Sequence, residues 1–62
     1  MKLTTISDIY ATISGAVDPV TMYARIREQL TEMERAGRYP SDWVIKGIQR
    51  AADRRYIELI GG

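Results

Sequence analysis

Sixty-two residues with a mass of 7.0 kDa make one small domain, and a single core of this size hides only about 60% of the surface of its unfolded chain. With no Cys and no His, disulfides, zinc sites, thiol nucleophiles and imidazole-based triads are excluded, which points away from enzymes and from any cofactor or metal. A hydrophobic fraction of 45% with 27% charged residues fits an ordered domain, and the net charge of +1 gives no strong pull on nucleic acid from the surface as a whole.

Apolar runs stay short and Asp8 interrupts the N-terminal one, so neither a membrane span nor a secretory signal is expected, and a cytoplasmic location follows as the default. There is no repeat, low-complexity tract or linker, and residues 1–62 read as a single domain. The expected fold is all-α, a compact three-helix domain.

The first helix is predicted over Ile6 to Ser14, where Ile6, Ile9, Tyr10 and Ile13 recur at helical spacing. Thr5 and Asp8 have the spacing of a capping box, and Gly15 ends the segment. Its β-branched content leaves room for a strand in the first residues. The second helix carries Asp18 as N-cap and Pro19 at the first helical position, with Val17 and Met22 placed as a hydrophobic staple. Tyr23, Ile26, Leu30 and Met33 form its apolar stripe, with Arg25, Glu28, Glu32 and Arg35 on the solvated side. Gly37 is the expected left-handed terminator, and Tyr39-Pro40 makes the connection.

The third helix starts at Ser41 with Asp42 in its first turn. Ile45, Ile48, Ala52, Tyr56 and Leu59 lie within about 80° on a helical wheel and carry the helix to Ile60. Tyr56 to Ile60 also alternates like a strand, so a short pairing of residues 2–6 with 56–60 stays open as the alternative. The expected core is Ile9, Ile13, Tyr23, Ile26, Leu30, Met33, Ile45, Ile48, Ala52 and Leu59. Val44, Ile57 and Ile60 do not fit the same face, and this leftover apolar surface suggests a homodimer.

Between Trp43 and Arg55 stand four cations, Lys46, Arg50, Arg54 and Arg55, against one anion, Asp53. Lys46, Arg50 and Arg54 are spaced i, i+4, i+8 and share the outer side of the third helix with Trp43. Such a face suits an acidic protein surface or the phosphates of DNA, and an ordinary solvated helix face with Trp43 folded over the bundle end explains it equally. The Gly-containing turn before Ser41 also invites comparison with a helix-turn-helix. Glu28 and Glu32, at i, i+4 on an exposed side, offer little for catalysis.

From Ser41 onward the run Ser41-Asp42, eight residues, Ala51-Ala52-Asp53-Arg54-Arg55 and Glu58-Leu59 resembles the third helix of the Hha/YmoA/Cnu family of small nucleoid-associated regulators. Arg54 stands where that family has His. The resemblance implies an all-helical modulator that binds the dimerisation domain of an H-NS-type silencer, with Asp53 in the contact. Together with the charge pattern it gives the expected function: a non-enzymatic regulatory binding module that docks on a DNA-associated protein, a nucleoid or transcription protein, through Trp43, Lys46, Arg50, Asp53 and Arg54. The alternatives are a DNA-binding helix-turn-helix-like regulator using the same helix, and a phage- or plasmid-encoded inhibitor or structural subunit.

Overall fold

A computed structural model describes residues 3–61 as three helices, α1 (Ile6–Ser14), α2 (Pro19–Arg35) and α3 (Asp42–Gly61). Among the described residues there is no strand. Tyr56 to Ile60 continues α3, so the alternative pairing of 2–6 with 56–60 is overturned; residue 2 lies outside the described residues. The same five residues satisfy both periods, but the helical one keeps Leu59 packed against the core with Ile48 and Ala52, whereas a lone strand here would leave its backbone groups without a ladder.

Local signals fix the helix ends. The Thr5 hydroxyl accepts from the Asp8 N–H at 3.3 Å while the Asp8 carboxylate accepts from the Thr5 N–H at 2.9 Å, a complete capping box. At the start of α2 the Asp18 carboxylate accepts from both the N–H and the hydroxyl of Thr21 at 2.8 Å, and Pro19 occupies the first helical position. These two bonds, the backbone one foremost, hold the Asp18 carboxyl below the ordinary carboxylate range. Gly37 adopts φ 72°, and with it Arg38 N–H reaches Met33 C=O at 2.8 Å and Gly37 N–H reaches Glu34 C=O at 3.0 Å, the paired bonds of a Schellman ending. The staple does not form: Val17 is 89% exposed, and Ala16 is the buried residue of that turn.

Ile9, Ile13, Ala16, Met22, Ile26, Met33, Ile48 and Ala52 make the core. On α2 the buried stripe is Met22, Ile26, Gln29 and Met33, which keeps Ile26 and Met33 of the predicted Tyr23, Ile26, Leu30 and Met33 but turns the face by about 50°, with Met22 and Gln29 in place of Tyr23 and Leu30. Leu30, Ile45 and Leu59 are only half-buried, and Tyr23 is exposed at the edge of α3. The turn is possible because Gln29 is satisfied where it is buried. Its Oε1 lies 3.0 Å from the Thr12 hydroxyl, and its Nε2 donates to the Asp8 carbonyl at 3.4 Å. On α3, Val44 and Ala51 pack toward the core, so Val44 is not part of a leftover apolar surface, while Ile57 and Ile60 are exposed as expected.

Alpha1 runs alongside α3 at close range. A Cβ at Gly47 would stand 3.2 Å from the Tyr10 hydroxyl, so the missing side chain of Gly47 lets the ring of Tyr10 lie over α3. The Cα trace spans 37 × 25 × 15 Å, and the short dimension is about that of two helix layers packed 8–10 Å apart.

Candidate functional site

The outer face of α3 is the exposed one. Trp43 is 77% exposed, so the indole projects into solvent and does not cover the end of the bundle. Lys46, Arg50 and Arg54 follow, all exposed, in steps of about 6 Å along the helix axis. Among the described residues none of the three is in an ion pair or a side-chain hydrogen bond; the pairs formed are Arg25–Glu28 and Arg55–Glu58, each at 3.2 Å. The result is a ridge of three unpaired cations headed by an indole, with Ile57 and Ile60 exposed beyond it.

The other two charged residues of this segment have structural engagements. Arg55 Nη2 donates to the Ala16 carbonyl at 2.7 Å, tying α3 to the turn between α1 and α2. Alpha1 has no basic residue in its last turn, and the Arg55 guanidinium supplies positive charge beside it, as the helix dipole favours. Among the described residues Arg55 Nε is buried without a hydrogen-bond partner. A depression of about 470 Å³ beside this tether is lined by Arg50, Arg54, Arg55 and Glu58 together with Ile13 and Ser14.

Asp53 sits on the opposite flank of the ridge and faces α2. Its Oδ1 accepts the Tyr23 hydroxyl at 2.7 Å, and the Tyr23 ring stands 6.2 Å from that of Tyr56. The bond to Asp53 leads the causes, with desolvation and the carboxylate's charge adding to it, that push the Tyr23 phenol up to about 12. Of the five residues predicted for the site, the structure therefore brings Trp43, Lys46, Arg50 and Arg54 onto one free face and places Asp53 at its border, engaged by α2.

Sequence reasoning missed a second feature. Between α2 and α3 lies an open groove of about 530 Å³, lined by Tyr23, Leu30, Tyr39 and Ile45 and rimmed by Arg27, Glu34 and Asp53. It opens because α2 presents Met22 and Gln29 to the core, which leaves Tyr23 and Leu30 on its shoulder. No signal in the sequence marks it, since the turn of α2 that buries Gln29 in place of Leu30 depends on the partners of Gln29.

Among the described residues no group of three or more potential metal ligands occurs, and no helix is long and apolar enough to cross a membrane. Comparison with protein-family models, with curated proteins and with solved structures returns no match for this chain.

Proposed function

We propose that this chain is a non-enzymatic regulatory module of the cytoplasm that modulates gene expression by docking on a DNA-associated protein through the outer face of α3. The observation that carries the reading is the ridge itself: three cations with no ion-pair partner among the described residues, beside a largely exposed tryptophan. An exposed indole is costly to leave in water and is a common anchor of protein interfaces, and unpaired arginines steer an acidic partner and set its register. Asp53, held by Tyr23, supplies a fixed carboxylate at the edge of the same contact.

A protein partner is favoured over DNA by two features. Alpha2 ends at Arg35 and α3 begins at Asp42, so residues 36–41 form a connection longer than the three- or four-residue turn of a helix-turn-helix. Three ridge cations on a chain of net charge +1 would also neutralise few phosphates, giving a salt slope of only about −3.

The test is a titration of the labelled chain with the dimerisation domain of an H-NS-type silencer and, separately, with a random-sequence duplex. Arg50→Glu is expected to weaken the protein complex about tenfold or more while leaving the fold within about 0.5 kcal/mol, as for an exposed position. Arg25→Glu on α2 makes the same change in net charge at the cost of one exposed ion pair and should leave binding unaltered. Equal losses from the two reversals would reduce the effect to overall charge, and binding to the duplex alone would transfer the site to DNA.

A further inference from the structure

We propose that the groove between α2 and α3 is covered by the same groove of a second copy of this chain, with the two α2 helices antiparallel about a twofold axis near Leu30 and Thr31. Three observations lead there. The accessible surface is 4639 Å², whereas a compact monomer of 7.0 kDa is expected to expose about 4,000 Å². The excess is of the same order as the roughly 800 Å² that each partner covers in a stable interface. The apolar lining is open along the groove, from Tyr23, 37% exposed, at one end to Tyr39, 53% exposed, at the other.

The third observation selects the occupant. Arg27 and Glu34 both line the groove on α2, seven residues apart and so nearly on one line of the helix. Among the described residues neither has an ion-pair partner. A twofold interface requires a surface complementary to itself. Antiparallel α2 helices centred between Leu30 and Thr31 place Arg27 opposite the partner's Glu34 and Glu34 opposite the partner's Arg27. The same operation brings the Tyr39 end of each groove to the Tyr23 end of the other.

The outer face of α3 fails this self-complementarity. Antiparallel pairing about Arg50 would bring Trp43 to the partner's Ile57, but it sets Lys46 against the partner's Arg54 and Arg50 against its own copy. Parallel pairing sets every ridge cation against itself. A second copy therefore fits the groove and leaves Trp43 and the ridge cations free, with Asp53 at the border of both surfaces, and this interface needs no part of the docking function proposed above.

Sedimentation equilibrium of the full chain tests it. The parent is expected to associate to twice 7.0 kDa at micromolar to several hundred micromolar concentration. Arg27→Glu and Glu34→Arg should each raise the dimer dissociation constant about tenfold or more, since twofold symmetry counts each reversal twice. The double variant, and an equimolar mixture of the two single variants, should associate again because opposite charges face each other once more. The absence of native Cys adds a second readout: Thr31→Cys should oxidise to a linked dimer, and Glu28→Cys on the far side of α2 should not. A parent that stays monomeric at several hundred micromolar, single reversals that associate like the parent, or a mixture of helical single variants that does not associate would each overturn the proposal.

Discussion

Tyr23 shows how one side chain can satisfy a sequence rule and a different structural role at once. Its position in an apolar stripe suggests a core residue, yet the ring closes the edge of the α2–α3 contact and its hydroxyl is spent on Asp53. Because the folded phenol is raised from 10.0 to about 12, its contribution to stability is complete below the unfolded value and is lost as pH climbs through the folded one. We expect stability to fall between about pH 10 and 12, and Tyr23→Phe to lessen that fall and to remove the phenolate absorbance step near pH 12. Urea midpoints across that range, with absorbance read in parallel, check both; an unchanged alkaline profile in Tyr23→Phe would show that Asp53 does not hold the hydroxyl. Asp18 has the opposite sign, since its lowered carboxyl supports the α2 terminus above the unfolded value and loses that support as pH drops.

At the level of the helices, burial predicts unequal responses from two residues that the apolar pattern treats alike. Ile48 is 1% exposed, and Ile48→Ala should cost about 2 to 5 kcal/mol, enough to unfold most of a chain this small. Leu30, half-buried on the shoulder of the groove, should cost less, about 1 to 2 kcal/mol, when truncated to Ala. Urea denaturation followed by circular dichroism at low micromolar concentration separates them, and equal losses would place Leu30 in the core after all. The helices were legible in the sequence because their ends are set by neighbours three residues apart, as at Thr5 with Asp8 and at Asp18 with Thr21, and by the φ of Gly37. The face of α2 was not, because hydrophobicity favours Leu30 over Gln29, and only the Thr12 hydroxyl and the Asp8 carbonyl, both on another helix, make burial of the amide affordable.

Over the whole molecule the ridge of α3 was readable for the same reason as the helix ends: once residues 42–61 are helical, Lys46, Arg50 and Arg54 must align. The engagements of Asp53 with Tyr23 and of Arg55 with Ala16 span 30 and 39 residues and have no trace in local spacing. So, too, with the groove, which exists only between helices. If that groove is the seat of a second copy, folding and association are linked, and anything that binds the folded chain alone raises its melting temperature by mass action. Raising the concentration a hundredfold within the range where the dimer forms should therefore lift Tm by about 5 °C or more, because each kcal/mol shifts a domain of this size by several degrees. Arg27→Glu should flatten that dependence while preserving the helical signal, since Arg27 is exposed and has no ion-pair partner among the described residues. Calorimetry or circular dichroism melts of both proteins over the same concentrations read the difference directly. A parent Tm independent of concentration would mean that the three helices hold together unaided, with the 37 × 25 × 15 Å shape as the complete folding unit.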